Sequence, residues 1–231
     1  MQIEILADAG AVATRAAQFI AAEARAAVAA HGRFAFAVSG GHTPWQMLRV
    51  LASESVPWQS VHLFQVDERV APAGDPDRNL THIRDSLLAH IALPETNLHA
   101  MRVEATDLAA AAAAYAQELA TFAGTPPVLD LVHLGLGPDG HTASLIPGDP
   151  VLAEAHLNVA LTAPYQGHRR MTLTYPILNR SRCVLFVVTG AEKVPALAKL
   201  RAGDPTIPAG RVTGERASII ADAAAAGTAP Q

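Results

Sequence analysis

Short, largely apolar runs alternate with longer segments of helical periodicity along the whole chain. The runs that predict β-strands are Ile3–Leu6, Phe34–Val38, Val61–Val66, Asn97–Met101, Leu129–Leu134, Cys183–Val188 and Ser218–Ala221. Between the first two runs a helix is predicted, because apolar side chains recur at helical spacing at Val12, Ala16, Phe19, Ile20, Ala24, Ala27 and Val28. The alanine-rich tract Asp107–Phe122 predicts another helix.

This alternation of strands and helices predicts the fold class. Nearly continuous apolar strands are typical of parallel sheets that helices cover on both faces. We therefore expect an α/β fold: a doubly wound, mostly parallel sheet with helices on both faces, in a modified Rossmann-like arrangement. No shift in composition marks a linker and no segment repeats. Residues 1–231 are thus expected to form a single α/β catalytic domain, with residues 224–231 fraying at its end.

The strand predicted at Leu129–Leu134 leads directly into a glycine-rich segment, residues 135–144, Gly-Leu-Gly-Pro-Asp-Gly-His-Thr-Ala-Ser. Ligands of open α/β sheets bind at the carboxyl ends of the strands, so this segment predicts an active site. We expect a helix to begin beside its histidine, His141. The glycines also match the G-x-G-x-x-G pattern of dinucleotide sites. The mid-chain position, the nearby Asp139 and the lack of an acidic residue about 20 positions further on argue against a nucleotide cofactor.

Three other segments are expected at the same edge, just past predicted strands. The first, Ser39-Gly40-Gly41-His42-Thr43-Pro44, combines paired glycines with a helix start, Thr43 being the predicted N-cap and Pro44 the first helical residue. Such a loop suits a phosphate group. The charged segments are Asp67–Arg69 with Asp75–Asn79, and Arg169–Thr174 with Gly190–Lys193. Taken singly, the first charged segment is explained equally well by a surface ion-pair cluster, and the residues of the second are more often solvated surface charges.

Composition narrows the function classes. A formal net charge of −4, with 17 Lys and Arg, argues against a broad nucleic-acid surface. No apolar stretch reaches the roughly 18 residues of a membrane helix, and a cytoplasmic protein is expected. The single cysteine, Cys183, predicts a buried thiol. His62 and His133 fall in strands and are expected to be packed. No histidine or cysteine spacing predicts a metal site, and neither Ser39 nor Ser144 lies in a G-x-S-x-G elbow.

Together these segments resemble the 6-phosphogluconolactonase family, which lies in the glucosamine-6-phosphate isomerase/deaminase superfamily. The matching pieces, in the family's order, are Ser39–Pro44, Asp67–Arg69, Gly135–Leu145, Arg170–Thr174 and Gly190–Lys193. The resemblance implies a carboxylic ester hydrolase that converts 6-phospho-D-glucono-1,5-lactone into 6-phospho-D-gluconate in the oxidative pentose phosphate pathway, without a metal or cofactor. The chain departs from the family at His42 and at Arg78-Asn79, which affects the fine contacts around the phosphate.

The resemblance also implies roles for individual residues. His141 is expected to be the general base, oriented by Asp139 or Asp67 and kept neutral by a helix N-terminus beside its ring. Arg69, or backbone N–H groups of Gly137–Gly140, would stabilise the oxyanion. The expected substrate- and phosphate-binding residues are Ser39, Gly40, Gly41, His42, Thr43, Asp67, Asn79, Gly140, Arg170 and Lys193.

Two alternatives are weighed against this hypothesis. Glucosamine-6-phosphate deaminases carry a glutamate five residues past the histidine, where this chain has Ile146, whose side chain cannot transfer a proton. A non-catalytic sugar-phosphate sensor usually carries a DNA-binding module, for which the chain has neither spare length nor a basic helix-turn-helix. The expected partner is a small sugar phosphate lactone, without nucleic acid or membrane, and the expected assembly is a monomer or small homo-oligomer.

Overall fold

The computed structural model describes residues 1–228, which form two sheets. The strands are β1 (Gln2–Leu6), β2 (Phe34–Val38), β3 (Val61–Gln65), β4 (Asp67–Arg69), β5 (Leu98–His99), β6 (Leu131–Leu134), β7 (Val159–Leu161), β8 (Arg170–Leu173), β9 (Val184–Val188) and β10 (Ala217–Asp222). The helices are α1 (Ala9–His31), α2 (His42–Leu51), α3 (Asn79–Ser86), α4 (Leu108–Ala123), α5 (Tyr175–Arg180) and α6 (Val194–Ala202).

The central sheet is parallel and has the order β1-β10-β9-β6-β2-β3-β5. From β2 the chain proceeds outward through β3 to β5, and from β6 it proceeds in the other direction through β9 to β10. The order therefore reverses between β2 and β6. Such a switch point is where open α/β sheets form a ligand crevice, and here the loops after β2 and β6 flank it.

Helices cover both faces of the central sheet, which confirms the predicted fold class. On one face, α1, α2 and α3 enclose a core that includes Ile20, Met47 and Ile83. On the other face, α4, α5, α6 and the second sheet enclose a core that includes Leu119 and Phe186. The lone thiol of Cys183 is buried, as expected, and burial raises its pKa to about 11.

The second sheet was not predicted. It is antiparallel, with the order β4-β8-β7, and it pairs Asp67 with Thr172 and Arg69 with Arg170. The charged segments 67–69 and 169–174 were expected just past predicted strands, and no strand was predicted within either of them. Three- and four-residue strands that carry charged side chains lack the apolar run or the alternation that marks a strand in a sequence.

Two predicted boundaries are also corrected. The run at 97–101 contains only the short strand β5, because the side-chain oxygen of Gln65 accepts the N–H of Met101 at 2.9 Å. Residues 223–227 form a turn in which the Ala225 N–H donates to Asp222 at 2.7 Å, rather than fraying. Residues 229–231, the rest of the tail that was expected to fray, lie outside the described residues. None of the helices among residues 1–228 combines the length and apolar character needed to cross a bilayer.

Candidate active site

A cavity of about 440 Å³ lies at the switch point of the central sheet. Its walls come from the loops after β2, β6 and β9 and from the edge of the small sheet. The predicted site residues that line it are Ser39, Gly40, Gly41, His42, Thr43, Asp67, Arg69, Asn79, His141, Arg170 and Lys193. Asp139 and Gly140 are not part of the lining. The structure thus places loops that are about a hundred positions apart in the chain around one space.

The imidazole of His141 is held by the carboxylate of Asp139. Nδ1 lies 2.6 Å from Asp139 Oδ1, and the backbone N–H of His141 donates to the same oxygen at 3.1 Å. Because an ionised carboxylate only accepts hydrogen bonds, Nδ1 carries the proton, and Nε2 remains a free acceptor. Burial opposes ionisation of Asp139, but the hydrogen bonds from the His141 backbone and ring hold the pKa of that carboxyl below its ordinary value. The pair therefore has the geometry of a base and its orienting group.

The conformation of the 135–144 loop corrects two expectations. No helix begins at His141: a bridge between Thr142 and Leu145 and a series of turns follow instead, so the helix that was expected to start beside the ring is absent. The N–H of Gly137 donates to the His141 carbonyl at 2.8 Å, and the N–H of Gly140 donates to the Gly137 carbonyl at 2.9 Å. Both donors are used inside the loop, and Pro138 has none. Two of the expected backbone oxyanion donors are therefore unavailable.

Glycine is required at two positions of this loop. A Cβ on Gly137 would lie 2.1 Å from Nδ1 of His141 and 2.7 Å from Oδ1 of Asp139. At Gly140, φ is +83° and a Cβ would lie 2.5 Å from Cβ of Ile207. The ring and its carboxylate can thus approach the backbone only because residue 137 has no side chain.

Another wall of the cavity is the N-terminus of α2. The helix begins two residues earlier than predicted, at His42, with Gly41 as N-cap at φ +120°. Thr43 is not the cap, since its hydroxyl lies 2.6 Å from the hydroxyl of Thr189, at the end of β9. Pro44 is tolerated in the first turn, where an N–H has no intrahelical acceptor. The N–H groups of His42 and Thr43 likewise lack an intrahelical partner and, with the helix dipole, favour an anion.

Lys193 provides a cation beside this helix terminus. It lies in the short 3₁₀-helix Ala191–Lys193, after the turn at Gly190, where φ is +102°. Its ammonium group lies 3.5 Å from a carboxylate oxygen of Glu192, which also lines the cavity. The two glycine turns and Lys193 together form an anion-binding wall, defined here as Gly40–Thr43 with Thr189–Lys193.

Asn79 joins the anion-binding wall to the small sheet. Its side-chain N–H donates to the Asp67 carbonyl at 2.9 Å, and its side-chain oxygen accepts from Arg69 at 3.1 Å. A Cβ on Gly40 would lie 1.9 Å from that same oxygen, so residue 40 must also lack a side chain. Asn79 was predicted to bind substrate, but its amide is largely engaged by the protein.

Asp67 is buried at the junction between the two sheets. Its Oδ2 accepts the hydroxyl of Ser144 at 2.6 Å. Burial raises the pKa of Asp67, while the Ser144 hydrogen bond and the nearby Arg69 and Arg170 oppose the rise. Among the described residues, the Asp67 carboxylate is hydrogen-bonded to the side chains of Ser144 and Asn79. The alternative in which Asp67 orients the His141 ring is therefore not supported.

Arg170 brings a buried cation to the cavity. Only 4% of the residue is exposed, and its Nε has no hydrogen-bond partner among the described residues. Burial lowers the pKa of Arg170, the Asp67 carboxylate opposes this change and Arg69 adds to it. A buried guanidinium that lines a cavity is suited to an anionic ligand.

Several residues near the site were missed or misjudged from the sequence. Glu68 is fully buried and caps α3, accepting the N–H groups of Asn79 and Leu80 at 2.7 and 2.8 Å. Ser39 lines the cavity, but its hydroxyl donates to the carbonyl of His133. His133 itself is packed in the core, as expected, and burial lowers its pKa to about 3. A single sequence gives no sign of a functional role for Thr189, Glu192 or Ser144 beyond their proximity to glycine turns.

These features are suited to a phosphorylated ester. The imidazole of His141, with its free Nε2, lines the same cavity as the anion-binding wall, and Arg69 and Arg170 line it as well. Within residues 1–228, no group of three or more His, Cys, Asp or Glu side chains is placed to share a metal ion.

Comparison with known proteins agrees with this chemistry. Residues 7–221 match the family model described as glucosamine-6-phosphate isomerases/6-phosphogluconolactonase. The chain is similar to the 6-phosphogluconolactonases of Synechocystis, with 38% identity over 86% of this chain and 84% of the other, and of Mycobacterium tuberculosis, with 38% identity over 94% and 93%. Its structure is similar to that of 6-phosphogluconolactonase from Thermotoga maritima, with a TM-score of 0.86 and 27% identity over 96% of this chain and 98% of the other.

Proposed function

The chain belongs to the glucosamine-6-phosphate isomerase/6-phosphogluconolactonase family, and we propose that it hydrolyses 6-phospho-D-glucono-1,5-lactone to 6-phospho-D-gluconate. The observation that carries this proposal is that His141, whose ring is held by Asp139, lines the same cavity as the anion-binding wall. The names of the similar proteins support the same reaction.

His141 acts as the general base in this mechanism. With Nδ1 bonded to Asp139, Nε2 accepts a proton from water as the water oxygen attacks C1 of the lactone. The resulting imidazolium is stabilised by the Asp139 carboxylate, and it returns its proton to the ring oxygen as the bond between C1 and that oxygen breaks. A positioned base of this kind raises the reaction rate by about 10²- to 10⁴-fold.

Arg69 is the proposed stabiliser of the oxyanion that forms at C1. Its guanidinium lines the cavity and is held by the Asp77 carbonyl at 2.7 Å and by Asn79 at 3.1 Å. Both acceptors are neutral, so its positive charge is not cancelled by either. A donor that meets an oxyanion in the transition state contributes about 3 kcal/mol.

The phosphate is assigned to the anion-binding wall and Arg170. The N–H groups at the start of α2 and the Lys193 ammonium would contact its oxygens, with Arg170 adding a buried cation. These contacts lie away from C1, so they position the ring rather than take part in bond breaking. The family chemistry needs no metal or organic cofactor.

The deaminase alternative is weaker at the position that distinguishes it. Ile146 is 5% exposed and is not part of the cavity lining, so it offers no proton-transfer group to a sugar. A cytoplasmic location, a single domain over residues 1–231 and a monomer or small homo-oligomer stay predictions.

Hydrolysis of freshly generated 6-phosphogluconolactone, followed as acid release near neutral pH, tests the proposal. We expect the purified protein to exceed the spontaneous rate, which a no-protein control and a heat-denatured sample define. Glucosamine 6-phosphate is tested in parallel for ammonia release. Ammonia release without lactone hydrolysis would identify a deaminase, and binding of 6-phosphogluconate without either reaction would identify a sensor.

A further inference from the structure

Tyr165 lies beside the active site, and the mechanism above gives it no role. It belongs to the connection between β7 and β8, where Tyr165 and His168 pair through two backbone hydrogen bonds of 2.9 and 3.2 Å. The two residues between them, Gln166 and Gly167, have φ values of +49° and +84°. Two central residues with positive φ are typical of a tight hairpin turn. The backbone of Tyr165 is therefore held in a defined position.

The turn is also attached to the wall that carries Arg69. His168 Nε2 lies 3.2 Å from a carboxylate oxygen of Asp77, and the carbonyl of the same Asp77 accepts from Arg69 at 2.7 Å. His168 Nδ1 lies 3.3 Å from the carbonyl of Val70. These contacts couple the position of the turn to the small sheet.

The Tyr165 ring contacts two site residues at once. Cζ of Arg170 lies 5.0 Å from the centroid of the ring, which is a cation–π distance. The ring of His141 is 6.2 Å from it, centroid to centroid, at an interplanar angle of 67°. The Tyr165 ring thus lies next to both the buried cation and the proposed general base.

This contact explains how Arg170 is held without a carboxylate partner. Among the described residues its Nε has no acceptor, yet the residue is 4% exposed. An aromatic face attracts the flat guanidinium but accepts none of the N–H groups along its edge. A carboxylate in the same place would compete with the substrate anion, whereas the ring leaves those donors free.

We propose that Tyr165 is a positioning residue, whose ring holds the Arg170 guanidinium toward the anion that the cavity binds. The proposal rests on the proposed function for the identity of that anion. It depends on the ring and not on the hydroxyl, whose one hydrogen-bond partner within residues 1–228 is the Gln166 side chain, at 3.5 Å.

Three variants test it: Tyr165→Leu, Tyr165→Phe and Gln166→Asn, the last as a control on the same exposed turn. Calorimetric titration gives the Kd of 6-phosphogluconate, and kinetics give kcat and KM for the lactone. We expect Tyr165→Leu to raise Kd and KM by about 3- to 30-fold, the range of a desolvated cation–π contact, with a smaller change in kcat. Tyr165→Phe and the control should retain wild-type values.

A double-mutant cycle identifies the partner. In an Arg170→Gln background, which has no cation at this position, Tyr165→Leu should have little further effect on Kd, because the cation–π contact is already lost. The Nε–Hε NMR signal of Arg170, assigned by its loss in Arg170→Gln, should shift in Tyr165→Leu and not in Tyr165→Phe. An unchanged Kd in Tyr165→Leu, equal damage from Phe and Leu, or an undiminished effect in the Arg170→Gln background would each overturn the proposal.

Binding and turnover distinguish failure of this proposal from failure of the proposed function. A wild-type protein that binds 6-phosphogluconate but does not hydrolyse the lactone overturns the function, and the Kd comparison of the Tyr165 variants still decides this inference. A wild-type protein that hydrolyses the lactone while Tyr165→Leu matches it overturns this inference alone. A wild-type protein that neither binds 6-phosphogluconate nor hydrolyses the lactone would overturn both.

Discussion

The central parallel sheet and the small antiparallel sheet meet at the same cavity but contribute to it by different means. The central sheet ends in loops, and these supply glycine turns, the start of α2 and the His141 ring. The small sheet supplies charged side chains, Asp67, Arg69 and Arg170, from within its strands. The loops thus provide backbone N–H donors and the proposed base. The strands of the small sheet provide charged side chains that are held in place by the packing around them.

The difference shows how each region achieves precision. A loop residue is positioned by turns that only glycine permits, as at Gly137 and Gly140. A strand residue is positioned by ladder pairing, which sets Arg69 directly opposite Arg170. We therefore expect small changes of backbone shape in the loops to lower turnover most. Changes of charge or hydrogen bonding at other positions should mainly affect ligand binding and the free energy of unfolding.

The largest effect is expected from removing the proposed base, His141, which follows a strand of the central sheet. His141→Ala should lower kcat for the lactone by about 10²- to 10⁴-fold, with little change in the Kd of 6-phosphogluconate. His156→Ala, which removes an exposed ring, serves as the control. Near-normal turnover in His141→Ala would remove this residue from the mechanism and leave the small sheet as the source of catalysis.

Backbone shape in the catalytic loop is tested with a matched pair of glycines. Gly137→Ala should lower kcat by about 10²-fold, because the added Cβ displaces the ring and a shift of about 1 Å in a catalytic group has that effect. In Gly135→Ala the added Cβ meets nothing within 4 Å, so activity should be retained. Equal activities in these two variants would contradict the steric argument.

The anion-binding wall is tested with two lysines. Lys193→Ala should weaken 6-phosphogluconate binding by about tenfold, the low end of the value of a hydrogen bond to a charged group. Lys199→Ala removes the same charge from the exposed side of α6 and should leave Kd unchanged. If both variants bind equally well, as judged by calorimetry, the phosphate site lies elsewhere in the cavity.

The smallest effect on turnover is expected at the contact that joins the two sheets. Ser144→Ala removes the hydroxyl that donates to the buried Asp67, and it should lower the free energy of unfolding by about 1–3 kcal/mol. Urea denaturation measures this loss, with the exposed Ser53→Ala as control. An unfolding free energy equal to that of the wild type would show that the junction does not depend on this hydrogen bond.

Much of the central sheet could be predicted from sequence, and the reason is burial. β2 was predicted with its exact bounds, because both faces of Phe34–Val38 are covered and every residue is apolar. The small sheet could not be predicted, since Asp67–Arg69 is short and charged. Its pairing with Arg170–Leu173 depends on a contact about a hundred residues away in the chain.

The candidate site divides in the same way. The glycines and the histidine of residues 135–144 are a local pattern, and a single sequence displays it. The absence of a helix after His141 and the use of the loop N–H groups within the loop are not local, since Gly140 is packed on Ile207. The engagement of Asn79 by Arg69 and Asp67 likewise required the coordinates.

By itself, the sequence determined which segments are strands with two covered faces, where glycine breaks the chain, and which family these segments resemble. Those properties follow from side-chain hydrophobicity and backbone freedom, which act over a few residues. The tertiary structure alone decided that Asp139 is the carboxylate that holds His141. It also decided that, within residues 1–228, Nε of Arg170 has no hydrogen-bond partner and that the Tyr165 ring lies against this guanidinium. Hydrogen bonds and cation–π contacts depend on distances of a few ångströms between residues remote in the chain, and only folding sets those distances.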